Sequence, residues 1–138
     1  MGYNRALIQS PGLPAPAGVG AGLLANLSIQ EVTTDTAQTI TVGQMQAGGV
    51  NYTGFSAGRN ITTPTHTLLT AAFPEMNIGD SISFLVSIQD AFAGTWVAGD
   101  ANVVLAGRAT TPASSWSWVV CTRTADSGAN RTYSWRVM

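Results

Sequence analysis

Apolar and polar residues alternate along much of this chain with the period of two that is typical of β-strands. In Ser81–Ile88 serine alternates with large apolar residues except at Leu85, and residues 115–123 and 132–137 repeat the pattern with aromatic side chains. Shorter apolar segments over residues 23–32 and 39–42 are also predicted strands. Turn-forming residues separate these runs at intervals of about 8 to 12 residues, which is typical of a β-sandwich or barrel.

One segment follows the helical period instead. Thr62 or Thr63, followed by Pro64, forms a helix start, because a hydroxyl can cap free N–H groups and proline has no N–H to satisfy. The apolar residues that follow recur on one face at helical spacing: Leu68, Leu69, Ala72 and Phe73. Pro74 ends the run. The pattern predicts one short helix, over about residues 64–73, whose apolar face closes one end of the sandwich.

Further along, a glycine–aspartate pair indicates a tight turn. Residues 95–97 and 102–105 are apolar, and between them Ala98 and Ala101 enclose Gly99-Asp100. Such a pair between two apolar runs is typical of a β-hairpin. We therefore expect these two strands to pair with each other.

The first 22 residues show neither period. Proline and glycine dominate residues 11–22 and disfavour both a helix and an inner strand. The sequence therefore predicts an extended arm over residues 1–22, followed by a β-sandwich domain over residues 23–138. Five residues of the arm are candidates for contact with a partner surface: Tyr3, Arg5, Leu7, Ile8 and Leu13.

Charged residues are scarce. They make up 9% of the chain, the net charge is −1, and lysine is absent; ordinary soluble domains carry about 25%. So little charge makes a free monomer poorly soluble and suits a protein that packs against other copies or a partner. Six dispersed arginines form no basic stripe for nucleic acid. No run of ~18 apolar residues predicts a membrane span.

No set of residues predicts catalysis or metal binding. Residues 54–58 match the G-x-S-x-G string of a nucleophile elbow, but that motif needs an acid and then a histidine downstream. The only histidine is His66, with no acid between, and one histidine with the distant Cys121 cannot build a metal site. We expect a solvated His66, a Cys121 packed as a small hydrophobe, no enzymatic activity, no cofactor and no metal. Three aspartates recur in turns, where their carboxylates can bond the backbone: Asp80, Asp90 and Asp100.

Aromatic residues cluster in the second half of the chain. Five of them are candidates for the core or for an oligomer interface: Trp96, Trp116, Trp118, Tyr133 and Trp135. Trp116 and Trp118 share one face of their strand, and Tyr133 and Trp135 share one face of the last strand. Aromatic side chains fill sandwich cores and interfaces because each buries a large area. A flat platform for sugar is the alternative function for the tryptophans.

Several short motifs also follow one another in a characteristic order. They are Thr63-Pro64-Thr65, the Leu68-Leu69 pair, residues 74–84, residues 95–107 and the final Tyr133-x-Trp135-Arg136-Val137. From about residue 36 to 138, this order resembles a small β-rich domain of tailed-bacteriophage structural proteins. In that group the domain occurs as a free-standing capsid decoration (cement) protein and as the C-terminal part of longer minor structural proteins.

The resemblance implies an all-β, jelly-roll-like antiparallel β-sandwich that forms a homotrimer on the outer surface of an icosahedral head. The partner it implies is the major capsid protein, and the implied location is the virion, after synthesis in the host bacterial cytoplasm. The implied function is structural: each copy stabilises contacts between major-capsid subunits. The alternative function is a tail-associated adhesin that binds host-surface glycans through Trp116, Trp118 or Trp135.

Overall fold

The computed structural model describes residues 9–11, 14–17 and 29–138. Its strands are β1 (Gln9–Pro11), β2 (Pro14–Ala17), β3 (Gln30–Val32), β4 (Gln38–Thr39), β5 (Gly49–Tyr52), β6 (Arg59–Thr62), β7 (Ser81–Ile88), β8 (Gly94–Val97), β9 (Val103–Gly107), β10 (Thr110–Thr111), β11 (Ser115–Ser127) and β12 (Asn130–Val137). Two short helices are present among the described residues, α1 (Val42–Gln46) and α2 (His66–Ala72). Strands are the main secondary structure of the described residues, which confirms the predicted β-rich class.

Strands β1 and β2 pair with each other as a two-stranded antiparallel hairpin within the proposed arm. The five arm residues predicted to contact a partner lie outside the described residues: Tyr3, Arg5, Leu7, Ile8 and Leu13. The predicted strand over residues 23–32 is described only from residue 29, and there it contains β3.

Two sheets form the body of the domain. One has six strands in the order β3-β5-β7-β11-β12-β9, and the other has four in the order β10-β8-β6-β4. Side chains of both sheets enter one hydrophobic core. Within it, the ring centroid of Trp135 on β12 lies 5.3 Å from that of Phe84 on β7 and 5.9 Å from that of Trp96 on β8.

Strand pairing is mixed, so the expectation of an antiparallel sandwich is wrong. Parallel pairs join β3 to β5, β5 to β7 and β9 to β12 in the large sheet, and β4 to β6 and β6 to β8 in the small one. From β3 to β11, successive strands alternate between the two sheets. Each strand of one sheet is therefore followed by a strand of the other sheet before the chain returns. Because of this crossing, the next strand in the first sheet can run parallel to the one before it.

The strands β8 and β9 do not form the predicted hairpin, since they belong to different sheets. Their connection is attached to the start of α2 instead. A Cβ on Gly99 would lie 2.5 Å from the carbonyl oxygen of Thr63, and the Asp100 carboxylate accepts hydrogen bonds from the backbone N–H groups of His66 and Asn102. These contacts direct the chain from one sheet to the other. The turn at residues 127–130, in contrast, joins β11 to β12 as an antiparallel hairpin.

Helix α2 confirms the predicted helix but begins later than expected. Thr65 is the N-cap, and its hydroxyl accepts from the Leu68 N–H at 3.4 Å. Thr63 is instead buried, and its hydroxyl accepts from the Gly99 N–H at 2.9 Å. Leu69 is fully buried, whereas Leu68 is 53% exposed, so Leu68 does not belong to the packed face.

The sequence patterns missed helix α1. Residues 39–42 are predicted as a strand, but β4 ends at Thr39 and the chain turns into α1 at Val42. Thr41 and Gln44 form a capping box, in which each side chain accepts from the other residue's backbone N–H. The Thr-x-x-Gln spacing is a known helix-start signal, and the strand-like Thr39–Val42 alternation obscured it.

Candidate functional site

The outer face of the large sheet carries exposed tryptophans. Side chains alternate along β11, and Trp116 and Trp118 are 55% and 45% exposed while Ser117 and Val119 are buried. Ser117 can face the core because its hydroxyl accepts from that of Thr111, which in turn accepts from the Trp96 indole N–H. This buried chain of hydrogen bonds satisfies the serine and leaves the tryptophans of β11 in solvent.

Neighbouring strands extend this surface. Trp118 lies opposite Leu85 of β7, and Met138 follows β12 with its N–H donating to the Trp118 carbonyl at 2.8 Å. Val120 follows on the same side of β11 and lines a groove together with Trp118, Met138 and Ser83. We call the set Leu85, Trp116, Trp118, Val120 and Met138 the aromatic face. An exposed apolar cluster of this kind is typical of a binding surface.

Two arginines border the aromatic face. Arg136 lies on β12 opposite Val120, and Arg108 directly follows β9, where its N–H donates to the Val137 carbonyl at 2.8 Å. Both residues are exposed. Neither guanidinium makes a hydrogen bond or an ion pair within the described part of the chain. The border is therefore positively charged and available to a partner.

Elsewhere the arginines of residues 29–138 are used inside the fold. Arg59 pairs with Asp35 at 2.9 Å, and Arg123 pairs with Asp126 at 2.8 Å. Arg131 donates to the carbonyl oxygens of residues 73 and 74, which follow the end of α2. Within residues 29–138, the two guanidinium groups without internal hydrogen bonds thus lie beside the aromatic face.

A neutral cleft adjoins the other end of the aromatic face. It is lined by Ser87, Ile88, Gln89, Ser114, Ser115 and Trp116. Ser114 has a φ of 49°, a left-handed conformation that is uncommon for residues other than glycine. Hydroxyl and amide groups beside an exposed indole suit a neutral, hydroxyl-rich ligand.

The G-x-S-x-G segment contains no nucleophile elbow. The Ser56 hydroxyl and backbone N–H both donate to Asp35, which also accepts from Arg59. The hydrogen bonds from Ser56, followed by those from Arg59, lower the pKa of Asp35 from 3.8 to about 2. A carboxylate with so low a pKa is a poor base at neutral pH. The cluster instead ties the loop before β6 to the segment after β3.

Replacement of Asp35 by asparagine is expected to lower the free energy of unfolding at neutral pH. The pKa is lower in the folded state, so the stabilisation is complete above pH 3.8 and is lost as the pH falls towards 2. Urea unfolding of both proteins at pH 7 and at low pH measures the effect. The difference in free energy of unfolding between wild type and Asp35→Asn should become smaller at low pH. A difference that stays constant with pH would contradict the lowered pKa of Asp35.

His66 is not solvated, contrary to the sequence prediction. Its Nδ1 lies 2.8 Å from Asp100 Oδ2, and the side chain is mostly covered. Burial alone would raise the pKa of Asp100, but the hydrogen bonds from His66 and Asn102 outweigh it and lower that pKa. The nearest hydroxyl, that of Thr67, is 3.5 Å from Nε2, too far for efficient proton transfer. The pair holds the β8–β9 connection against α2.

The other two recurring aspartates bond the backbone, as predicted. Asp80 accepts from the Asn77 N–H at 2.7 Å within its own turn. Asp90 accepts from the Phe55 N–H at 2.7 Å and so joins two distant loops. No three His, Cys, Asp or Glu side chains of the described residues come together in a way that could hold a metal ion.

The five candidate aromatics separate into two groups. Trp96, Tyr133 and Trp135 are buried in the core, so Trp135 cannot offer a surface to sugar. Trp116 and Trp118 are exposed, and only they can contact a partner. The signal that distinguishes the two faces of β11 is weak but present, because Ser117 shares its face with Val119 and Cys121, which are typical core residues.

Cys121 is buried among the core residues, as predicted. Burial raises the pKa of its thiol to about 12. We expect the native protein at pH 8 to react with a thiol reagent only as fast as it unfolds, because the thiolate is the nucleophile. A chromogenic disulfide measures this rate with and without urea, and rapid stoichiometric reaction without urea would contradict the burial of Cys121.

Neither helix in the described part of the chain has the length and hydropathy that a membrane crossing requires. Comparisons with protein-family models, with curated proteins and with solved structures found no match for this chain.

Proposed function

We propose that this chain is a structural virion protein that decorates the outer surface of a bacteriophage head and stabilises contacts between major-capsid subunits. The observation that carries the proposal is the aromatic face, an exposed apolar surface on a domain with very little free charge. Such a surface favours permanent contact with other proteins over life as a free monomer. The resemblance in motif order supports the same function.

The mechanism is the burial of surface at joints of the shell. A protein that binds the assembled shell but not its separate subunits shifts the equilibrium towards the shell by mass action. Tryptophan contributes strongly to such contacts because one rigid side chain covers a large apolar area. No chemical step is needed.

The resemblance also implies a jelly-roll fold and a homotrimer. A jelly roll is built from antiparallel strands, and the mixed pairing of these sheets departs from it, so the surface supports the proposal more than the strand topology does. A trimer with closed cyclic symmetry suits the three-fold positions of a head. Equilibrium sedimentation of the isolated protein tests this, with a mass of three chains as the expected result.

Co-sedimentation with empty heads of the encoding phage tests the function. We expect the protein to pellet with heads at a saturating ratio of many copies per particle, and to raise the temperature at which the heads fall apart. Bovine serum albumin provides the control for trapping in the pellet. Failure to pellet under any salt condition would overturn the proposal.

The N-terminal arm is a second predicted contact with the shell. A variant lacking residues 1–22 is expected to fold and to bind heads more weakly than the full chain. Its binding curve is measured beside that of the full-length protein, with circular dichroism as the check on folding. Equal binding would remove the arm from the proposal.

The neutral cleft beside Trp116 favours one alternative function, a tail-associated adhesin that binds host-surface glycans. Ser114, Ser115 and Gln89 supply neutral hydrogen-bonding groups next to the exposed indole. Titration with purified host polysaccharide, followed by tryptophan fluorescence, tests it. A saturable change that Trp116→Ser abolishes would favour the adhesin, as would a purified virion that contains only a few copies of the protein.

A further inference from the structure

We infer that the aromatic face and its two arginines form a docking surface for a different protein, whose contact area is apolar and bordered by carboxylates. The inference rests on the proposed function and deepens it, because it names which surface meets the shell and what chemistry the shell must present there. It commits the aromatic face to a partner protein and not to a second copy of this chain.

The apolar part of the surface has the residue types that anchor interfaces. Tryptophan and arginine are enriched among the residues that dominate binding energy, which lie in the desolvated centre of an interface. Trp116 and Trp118 project from a β-strand whose other face is packed in the core, so their backbone is already ordered. Little conformational entropy is therefore lost when a partner covers them.

Serines lie beside the tryptophans and shape the surface. Trp116 lies opposite Ser87 of β7, and Val120 lies opposite Ser83. Large side chains on β11 thus form a ridge along the middle of the sheet, and Ser83 and Ser87 of β7 leave two shallower positions beside it, on either side of Leu85. A complementary partner surface places apolar side chains over these two positions.

The positive charge of the two arginines determines which charged groups the partner must carry. Arg108 and Arg136 stand at one side of the ridge, and both are exposed. Burial of an arginine against an apolar or basic surface leaves its charge unpaired, which is strongly unfavourable. A partner that covers the ridge and reaches this border therefore needs carboxylates there, which pair with guanidinium groups in a bidentate geometry.

A second copy of this chain does not provide these carboxylates on the same surface. The chain has seven acidic residues, and six of them bond partners elsewhere: Glu31, Asp35, Asp80, Asp90, Asp100 and Asp126. The seventh, Glu75, follows α2 and lines a groove with Ser81 and Ile82 at the start of β7, outside the aromatic face. In a two-fold contact of this face with itself, the same border residues would meet, so arginine would approach arginine.

Binding of heads by matched pairs of variants tests the inference. Trp116→Ser with Trp118→Ser is expected to weaken co-sedimentation by about thirtyfold, the effect typical of an interface anchor. Leu68→Ser with Ile78→Ser removes two equally exposed apolar side chains elsewhere and should leave binding within about twofold of wild type. Circular dichroism and urea unfolding verify that both double variants are folded.

The charge of the border is tested separately. Arg108→Gln with Arg136→Gln is expected to weaken binding about tenfold at low salt and to remove most of its salt dependence, since screening acts on the pairs that these residues form. Glu75→Gln changes the net charge by one outside the aromatic face, and it should change neither the affinity for heads nor its salt dependence. If the affinity of the double arginine variant for heads still falls with salt as steeply as that of wild type, the charged border does not contribute to binding.

Head binding by wild type tests the decoration function, and head binding by the tryptophan variants tests the docking surface. If wild type binds heads and the tryptophan variants bind equally well, the docking surface is wrong and the decoration function stands. If wild type does not bind heads, the function fails. If the tryptophan variants instead convert an oligomer into a monomer during sedimentation, the face belongs to a second copy and the inference is overturned. Equal affinity for single-stranded DNA and for heads would overturn it as well.

Discussion

Replacement of Trp135 by alanine is expected to lower the free energy of unfolding by about 3–5 kcal/mol. The indole is fully buried and contacts the rings of Phe84 and Trp96, with centroid distances of 5.3 and 5.9 Å. It thus joins the two sheets at the centre of the core. Since a domain of ordinary stability has only about 5–15 kcal/mol in total, such a loss leaves a marginal fold. Urea unfolding followed by circular dichroism measures it.

Two further tryptophan variants are the controls. Trp135→Phe keeps an aromatic ring and removes an indole N–H that has no hydrogen-bond partner in the described structure, so it should cost clearly less than alanine. Trp116→Ala removes a half-exposed tryptophan and is expected to change stability by less than about 1 kcal/mol. Equal losses of stability for Trp116→Ala and Trp135→Ala would contradict the assignment of Trp135 to the core and of Trp116 to the surface.

Replacement of Gly54 by alanine is expected to destabilise the fold by about 3 kcal/mol, at the upper end of the cost of overpacking. A Cβ at this position would lie 1.8 Å from the carbonyl oxygen and 2.3 Å from the carbonyl carbon of Thr33. Both are backbone atoms, so no side-chain rotation can make room. The contact holds the end of β5 against the segment after β3, where the Thr53 N–H donates to the Val32 carbonyl at 3.0 Å.

Gly58, in the same G-x-S-x-G string, provides a matched control. The nearest atom to a Cβ there is the Ala93 carbonyl oxygen at 3.7 Å, an ordinary van der Waals distance. Gly58→Ala is therefore expected to lie within about 1 kcal/mol of wild type, because alanine also reduces the entropy of the unfolded chain. Thermal and urea unfolding of both variants give the comparison, and equal losses would contradict a structural role that is specific to Gly54.

The aromatic face gives the docking proposal a physical basis that the resemblance alone does not supply. In the large sheet, an exposed ridge of two tryptophans lies beside two unpaired arginines, while the other arginines of residues 29–138 are bonded inside the fold. Aromatic area provides affinity and the charged border provides specificity for a carboxylate-bearing partner. The two contributions respond differently to salt, so binding curves can measure each one.

The local pattern of polar and apolar residues was enough to predict some of the secondary-structure elements. Strand β7 has the predicted bounds, Ser81–Ile88, because alternation over eight residues specifies both its conformation and its buried face. Strand β12 and the turn before it follow from the same kind of signal. Helix α2 was predicted from its spacing, although its cap lies at Thr65 and Leu68 remains in solvent, because tertiary contacts of Thr63 and Asp100 decide where the helix begins.

Only the tertiary structure decided which strands pair and which face of β11 is covered. The sequence by itself determined a β-rich domain with little charge and five candidate aromatics, since composition and alternation are local properties. Pairing depends on which sheet receives each successive strand, and the alternation between two sheets that makes many pairs parallel leaves no local signal. The burial of Ser117 in place of Trp116 and Trp118 depends on Thr111 and Trp96, which approach it only when the two sheets pack together.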